Sequence, residues 1–304
     1  MIDVICIGRS SVDLYGQQSG GKLEDMTSFS KYIGGSPTNI SIGCSRLGLK
    51  SALITKVGNE HMGRFIIEQL KKEGVDISNV KIDDNKLTAL VLLGIRNQDQ
   101  FPLIFFRENC ADMAICENDI DESFIKNSKS VLVTGTHFSS EIVSSASFKA
   151  MEIARKHNKK VIFDIDYRPN LWAQANHNEG ESRYKESKKV TKQIQKILPL
   201  CDLIVGTEEE WNIAGGKTNT LESIKICKNI SKATFVCKKG ALGCTVFENK
   251  ITDWNSGISV PTNKVEIFNV LGAGDGFMAG FLKGWLQGED LTKCSLYANA
   301  CGAL

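Results

Sequence analysis

The feature of this sequence that most constrains its fold is a series of short apolar runs separated by helical patterns. The first run, from Asp3 to Gly8, is continuous, which is typical of a strand buried on both faces. Similar runs recur at 51–57, 130–134, 160–164, 202–205 and 234–237. Helical spacing lies between them, at 39–47, 61–72, 144–155 and 187–198. Strands that alternate with helices predict an α/β fold with a doubly wound, mainly parallel sheet.

Two stretches interrupt this alternation. Residues 14–33 contain a glycine-rich bend and a strand-like run, and residues 81–107 contain two β-like runs around 97–100, which predict a hairpin. We expect both to form one small β-sheet over the carboxyl ends of the main strands, where such sheets bind ligands; the alternative is a hairpin with a packing role only. The chain is then a single domain, 1–304, with two inserted lid segments. Because an apolar helical pattern at 298–304 has no stop signal, we expect the natural protein to continue.

Composition argues against several classes of partner. Lys and Arg number 37 and Asp and Glu 35, which gives a formal net charge of +2, and the lysine pairs are scattered. A nucleic-acid partner is therefore not expected. No apolar stretch approaches the roughly 20 residues that span a bilayer, and the first run is too short for a signal peptide. Ten cysteines without metal-binding spacing predict buried thiols in a reducing compartment, so we expect a cytoplasmic protein with no membrane partner.

The strongest local motif is Gly272-Ala-Gly-Asp275, which a helical pattern follows directly. Its glycines permit a tight turn and a close approach of the backbone to a ligand. Backbone N–H groups at a helix N-terminus point at one spot, where the helix dipole also favours an anion. Such a turn would stabilise charge on a transferring phosphoryl group, and Asp275 could accept the proton of an attacking hydroxyl. The plainer alternative is an N-cap aspartate after a flexible turn.

A second motif, Gly34-Gly-Ser-Pro-Thr-Asn39, also leads into a helical pattern. The two glycines permit backbone contact with a ligand, and Pro37 suits the first turn of a helix. Asn39 would then face the ligand near the helix start. Taken alone, the motif is better explained by an ordinary loop-to-helix junction.

Together these motifs resemble those of the ribokinase-like (PfkB) carbohydrate kinases. Gly-Ala-Gly-Asp before a helix, Gly-Gly-x-x-x-Asn near the N-terminus and Asp13 after the first strand occur in the family's order along the whole chain. The resemblance implies a doubly wound α/β domain with a β-sheet lid, which is often shared across a homodimer. Such a lid is also expected because phosphoryl transfer must exclude competing water. It also implies the use of ATP and Mg²⁺, and commonly activation by a monovalent cation such as K⁺.

The resemblance assigns roles position by position. Substrate hydroxyls would be bound by Asp13, Gly34, Gly35 and Asn39. The anion hole would be formed by Gly272, Ala273 and Gly274, with Asp275 as the catalytic base. The nucleotide would contact Lys238 and Gly240, and Asn299 would lie in the helix that borders the adenine. The metal would associate with Glu210.

Two departures from the family pattern stand out. The Asp-Thr that commonly precedes the anion hole is Asn269-Val here, and the Asn of the Mg²⁺-associated motif is Thr207; both leave the dependence on K⁺ open. Both also resemble one branch of the family, the 5-dehydro-2-deoxygluconokinases, to which 8–15, 101–112 and 163–172 are similar as well. That resemblance implies phosphorylation of the primary hydroxyl of 5-dehydro-2-deoxy-D-gluconate in myo-inositol catabolism.

Two arginines agree with an acidic substrate. Arg107 ends the predicted hairpin and Arg168 follows the strand 160–164, so both could face the mouth of the sheet, where guanidinium groups suit a carboxylate. For each, a surface ion pair is the alternative. Two other interpretations stay open. One is a different sugar or sugar-acid kinase, such as 2-keto-3-deoxygluconate kinase or fructokinase; the other is a non-catalytic sugar or nucleotide sensor, which would have no need of a base at Asp275.

Overall fold

The computed structural model describes residues 1–97, 100–180, 182–262, 264–266 and 270–304. The strands in these residues are β1 (Ile2–Ile7), β2 (Ser11–Gly16), β3 (Phe29–Gly34), β4 (Ser51–Gly58), β5 (Val80–Asp83), β6 (Ala89–Leu93), β7 (Leu103–Phe106), β8 (Ser128–Thr134), β9 (Lys160–Asp164), β10 (Leu203–Thr207), β11 (Thr234–Lys238), β12 (Cys244–Phe247) and β13 (Ile258–Val260). The α-helices are α1 (Ser36–Arg46), α2 (His61–Lys72), α3 (Glu122–Lys126), α4 (Glu141–Lys156), α5 (Lys188–Ile197), α6 (Glu208–Gly215), α7 (Thr220–Ile230), α8 (Ala273–Trp285) and α9 (Leu291–Ala303).

The strands of the described residues form two sheets. The large sheet has the order β13-β12-β11-β10-β9-β8-β1-β4-β5, and the small sheet has the order β3-β2-β6-β7. In the large sheet every pairing from β11 to β5 is parallel, while β12 and β13 add antiparallel at one edge. The predicted α/β fold, with a doubly wound and mainly parallel sheet and a small separate sheet, is confirmed.

Both faces of the large sheet are buried. In β1, Ile5 and Ile7 pack in a core cluster that includes residues of α4, α5, α6 and α7. Val4 and Cys6 point the other way, into a cluster that includes residues of α1, α2, α8 and α9. Successive side chains of a strand alternate between faces, so a strand covered on both sides must be apolar at every position. This is why the continuous apolar runs predicted the strands of this sheet.

The small sheet begins earlier in the chain than predicted. Its strand β2 starts at Ser11, three residues before the predicted insertion at 14–33. The second insertion, predicted at 81–107, contributes β6 and β7. The first residues of this insertion are instead part of the large sheet, because β5 pairs in parallel with β4 at its edge. Whether the small sheet acts as a lid stays a prediction.

The first helix also begins earlier than its apolar pattern, at Ser36 rather than Asn39. Gly35 has a φ of 99°, in the region that glycine adopts without strain, and this turn separates β3 from the helix. Pro37 then lies in the first turn, where its missing N–H costs no intrahelical hydrogen bond.

In the described part of the chain, no helix is long and apolar enough to cross a membrane. The ten cysteines carry free thiols, and most of them are buried. Burial raises the pKa of the Cys110 and Cys294 thiols to about 11, which favours the protonated and unreactive form. These cysteines therefore act as small apolar residues of the core, as the sequence indicates.

Candidate active site

The N-terminus of α8 and the N-terminus of α1 meet beside the small sheet. Gly272 caps α8 with a φ of 79°, and Asp275 lies in the first turn of that helix. Its Oδ2 accepts a hydrogen bond of 2.8 Å from Nδ2 of Asn39, which lies in the first turns of α1. The two helices approach closely because Gly43 faces Ala279, where a Cβ on the glycine would lie 2.7 Å from the alanine methyl. The fold thus brings together two motifs that are 236 residues apart in sequence.

The two glycines before α1 leave room for a carboxylate and a carbonyl. A Cβ on Gly34 would lie 2.1 Å from Oδ1 of Asp13, and a Cβ on Gly35 would lie 2.4 Å from the carbonyl oxygen of Arg9. Asp13 lies in β2 and its Oδ1 accepts a hydrogen bond of 2.8 Å from the Ser11 hydroxyl. The structure therefore groups Asp13, the glycine pair, Asn39 and Asp275 at one place.

The electrostatics of this group favour a proton acceptor at Asp275. Burial raises the pKa of the Asp275 carboxyl, while the hydrogen bond from Asn39 opposes that rise. Burial likewise raises the pKa of Asp13, against the hydrogen bond from Ser11 and the positive charge of Arg9. A carboxylate with a raised pKa binds a proton more readily than an exposed one does. Asp275 can therefore serve as a general base towards a hydroxyl bound beside it.

The two predicted arginines lie in different surroundings. The Arg107 side chain is 5% exposed, and its Nε donates a 2.7 Å hydrogen bond to Oδ2 of Asp112 in a buried ion pair. Its Nη2 is buried with no hydrogen-bond partner in the described residues. The Arg168 side chain is 28% exposed, and its guanidinium lies 4.0 Å from carboxylate oxygens of both Asp166 and Glu210. The alternative of a surface ion pair therefore does not apply to Arg107.

Three charged residues near this group were not predicted from the sequence. Arg9 is 8% exposed and interacts electrostatically with Asp13, Asp166, Arg107 and Arg168. Asp166 is buried and has a φ of 33°, which is rare for a residue other than glycine and often accompanies functional sites. Arg183 has a pKa lowered to about 10, first by Arg168 and then by burial. The sequence signals for Arg9 and Asp166 were their positions just after apolar strands and within 8–15 and 163–172, which resemble one branch of the family.

A second charged group lies at the ends of β9, β10 and β11. Lys238 Nζ is 3.5 Å from Oδ1 of Asp164 and 3.8 Å from Oε2 of Glu210. Burial lowers the pKa of Lys238, but these carboxylates outweigh burial and the pKa is raised. A Cβ on Gly274 would lie 3.5 Å from the same Nζ, so Lys238 joins this acidic group to the first turn of α8. Lys238 at the end of β11 therefore places a cation beside the N-terminus of α8, where it is suited to bind phosphate.

The metal prediction rested on Glu210 in α6. Its Oε2 accepts a 2.7 Å hydrogen bond from the N–H of Thr207, while the Thr207 hydroxyl accepts from the N–H of Glu210, so the two form a capping box. Among the described residues, no group of three or more His, Cys, Asp or Glu side chains could hold a metal ion by itself. Oδ1 of the buried Asp164 has no hydrogen-bond partner there. Mg²⁺ takes one or two protein carboxylates and completes its shell with phosphates and water, so Asp164 and Glu210 are suited to this ion.

The other predicted nucleotide residues lie further along the large sheet. Gly240 follows β11 with a φ of 53°, and a Cβ there would meet no atom within 4 Å. Asn299 is buried in α9, and its Nδ2 donates hydrogen bonds of 3.1 Å to the carbonyl oxygens of Val260 and Pro261. It therefore ties α9 to the end of β13. Asn269, on which the question of K⁺ partly rests, lies outside the described residues.

The whole chain, residues 1–304, matches the pfkB family of carbohydrate kinases. It is 32% identical over 309 residues to a 5-dehydro-2-deoxygluconokinase of Geobacillus kaustophilus, covering 100% of this chain and 87% of that protein. It is 28% identical over 305 residues to the 5-dehydro-2-deoxygluconokinase of Bacillus subtilis, covering 99% of this chain and 89% of that one.

Solved structures of a PfkB protein and of a sugar kinase are similar to this chain over nearly its whole length. A PfkB protein from Polaromonas sp. JS666 superposes with a TM-score of 0.85 at 26% identity, covering 100% of this chain and 95% of that one. A sugar kinase from Pyrococcus horikoshii in complex with ATP superposes with a TM-score of 0.81 at 27% identity, covering 99% and 91%.

Proposed function

The chain belongs to the pfkB family of carbohydrate kinases, and on this premise we propose that it transfers a phosphoryl group from ATP to the primary hydroxyl of a sugar acid, 5-dehydro-2-deoxy-D-gluconate. As a member of this family it is a carbohydrate kinase. The identity of the sugar acid is the proposal. It draws on relatives named 5-dehydro-2-deoxygluconokinase, which are about 30% identical over the full length of the chain.

The observation that carries the catalytic part of the proposal is the hydrogen bond between Asn39 and Asp275. It fixes a carboxylate of raised pKa in the first turn of α8. The same turn directs backbone N–H groups at its ligand, and the helix dipole adds to their positive potential. A base and an anion-binding turn at one place are what transfer of a phosphoryl group to a hydroxyl requires.

In the proposed mechanism the sugar acid binds between α1 and the small sheet. Asp13, Asn39 and the backbone of Gly34 and Gly35 hold its hydroxyls. Asp275 takes the proton of the primary hydroxyl as the hydroxyl oxygen attacks the γ-phosphorus of ATP. The N-terminal turn of α8, formed by Gly272, Ala273 and Gly274, stabilises the charge on the transferring group. Since the transition state is loose, positioning and electrostatics supply most of the rate.

ATP lies along β11 and α9 in this proposal, with its phosphates towards α8. Lys238 is the cation beside that turn, Gly240 leaves open space at the end of β11, and Asn299 holds α9 in position. Asp164 and Glu210 would hold Mg²⁺, which supplies neutralisation of phosphate charge when bound. Activation by K⁺ stays an open prediction.

The preference for an acid is supported by the positive charge around the site. Arg107 and Arg168 approach it from the small sheet and from the segment after β9. In Arg107 one donor, Nη2, is buried without a partner in the described residues, and a buried donor gains most from an anionic ligand. We propose that these two guanidinium groups bind the substrate carboxylate.

A homodimer through the small sheet is part of the proposal. Its edge strands β3 and β7 expose Phe29, Tyr32 and Phe106, and Leu87 before β6 is exposed as well. Exposed apolar side chains on sheet edges favour association with a second copy. Sedimentation velocity would then give about twice the 33.4 kDa of one chain, and Phe106→Glu would give the monomer. A monomeric wild type would refute this part alone.

The function is tested by a coupled ADP-release assay with Mg²⁺ and ATP. The panel sets 5-dehydro-2-deoxygluconate beside 2-keto-3-deoxygluconate, fructose and ribose. Selective turnover of the first supports the proposal. Selective turnover of another compound would show that the protein is a kinase with a different substrate. Binding of ATP without turnover of any compound would favour the sensor interpretation.

A further inference from the structure

A buried guanidinium at the end of β1 has no use in the mechanism described so far. Arg9 is 8% exposed. Its backbone is held in place because its carbonyl oxygen accepts a 2.9 Å hydrogen bond from the Thr38 hydroxyl and packs against Gly35. Its Nε is buried without a partner, and within the described residues its guanidinium forms no hydrogen bond and no ion pair within 4.0 Å.

A buried charge without a partner is costly, because the protein has removed its water and supplied no acceptor. Burial is the largest influence on Arg9 and lowers the pKa of its guanidinium. The nearest charges compensate only in part, since Asp166 and Asp13 attract it while Arg107 and Arg168 repel it. Three guanidinium groups thus converge on one region. An anionic ligand that accepts from all three would remove both the repulsion and the unmet hydrogen bonds.

The small sheet covers this side chain. The Arg9 guanidinium lies over the ring of Phe105, 5.8 Å from its centroid. Phe105 lies in β7. Arg107 follows directly after the end of β7 at Phe106, and the positive charges of Arg9 and Arg107 interact. Contact with an aromatic face suits the planar guanidinium and leaves its edge N–H groups available for hydrogen bonds.

We propose that Arg9 is a third substrate-binding guanidinium, which donates hydrogen bonds to carboxylate oxygens of the sugar acid and determines the preference for acids over neutral sugars. The inference rests on the proposed function in taking the ligand to be a sugar acid. It goes further in assigning the discrimination to a residue for which the family motifs carry no role. Arg107 is already paired with Asp112, and Arg168 lies near two carboxylates, so Arg9 is the least neutralised of the three.

A structural role is the competing explanation. Arg9 could serve only to offset the negative charges of Asp13 and Asp166. Its removal would then lower stability and reduce turnover of acidic and neutral sugars by the same factor. A role in recognition instead changes the ratio of kcat/KM between an acid and a neutral sugar, and weakens the binding of an acid without ATP.

The experiment compares wild type with Arg9→Gln and Arg9→Lys. Arg46→Gln is the matched control, because Arg46 is exposed on α1 and, in the part of the chain that the structure describes, pairs only with Glu73. Turnover is measured with 5-dehydro-2-deoxygluconate and with fructose, and calorimetry measures the binding of potassium gluconate against glucose. We expect Arg9→Gln to lower the acid-to-neutral kcat/KM ratio, and to weaken gluconate binding, by about 10- to 100-fold, which is the size of a lost hydrogen bond between charged groups. We expect a smaller loss for Arg9→Lys, which keeps the charge without the fork, and this variant carries the test if Arg9→Gln does not fold.

The outcomes separate this inference from the proposed function. If the acid is phosphorylated and both Arg9 variants keep the wild-type ratio, the inference is wrong and the proposed function stands. If no sugar acid is phosphorylated but gluconate binds and Arg9→Gln weakens it, the substrate proposal fails and the inference stands. If no acid is phosphorylated, and gluconate either does not bind to wild type or binds equally to the variants, both fail.

Discussion

The hydrogen bond between Asn39 and Asp275 makes a prediction that can be worked from the structure. Asn39→Ala removes a 2.8 Å donor to a partly buried carboxylate. Since that bond holds the pKa of Asp275 down against burial, its loss favours the protonated carboxyl, which cannot act as a base. A hydrogen bond to a charged group contributes about 1.5–3 kcal/mol, which corresponds to a factor of roughly 10 to 100. Alanine suits the helix, so α1 should persist.

The assay is kcat against pH for the best substrate of the wild type. We expect kcat of Asn39→Ala to fall by about 10- to 100-fold on the acidic limb and to recover towards the wild-type value as pH rises and Asp275 ionises. Asn229→Ala, an exposed asparagine in α7, is the control and should keep the wild-type profile. An acidic limb at the same pH in Asn39→Ala would refute the idea that this bond tunes the base. A uniform loss at every pH would assign Asn39 to binding alone.

Three further predictions concern stability and packing. Gly34→Ala places a methyl 2.1 Å from Asp13 and should raise KM for the sugar at least tenfold and cost about 1–3 kcal/mol in urea unfolding, whereas Gly94→Ala, whose Cβ would meet nothing closer than 3.6 Å, should do neither. Lys238→Met leaves Asp164 buried without its cation and should cost about 3–5 kcal/mol; if Lys238→Met with Asp164→Asn is not more stable than the single variant, this account of the pair is wrong. Burial lowers the pKa of His137 from 6.5 to about 3, so the unfolded state takes up its proton first and stability should fall below pH 6.5 by up to about 1.4 kcal/mol per pH unit; an equal slope in His137→Asn would contradict this.

The large sheet could be predicted because its strands are buried on both faces. Runs such as the one that begins at Asp3 have no polar alternation, and this pattern is typical of strands buried on both faces. The edge strands β12 and β13, of four and three residues, were not predicted. They are short and antiparallel, and what defines them is pairing with β11 rather than a pattern of their own. The apolar pattern placed the start of α1 too late, because its first turn, with Ser36 and Pro37, lacks the apolar spacing of its later turns, although Pro37 indicated a first turn there.

The site could be predicted only where a local motif exists. The Gly-Ala-Gly-Asp turn and the glycine pair before α1 have local signatures, and the fold brings them together at Asn39 and Asp275. Arg9 has no such signature. Its guanidinium lies over Phe105, about a hundred residues later in the chain, and a single charged residue after a strand is usually exposed.

The most direct test of the central claim is transfer of phosphate to 5-dehydro-2-deoxygluconate by wild type and by Asp275→Asn, followed by ³¹P NMR of the product. Asparagine keeps the shape of the side chain and cannot take the proton. We expect wild type to form a phosphate ester at the primary hydroxyl, and Asp275→Asn to bind both substrates with kcat lower by roughly 10²–10⁴. An unchanged kcat in the variant would contradict the assignment of the base, and the absence of a sugar phosphate with wild type would contradict the proposed substrate.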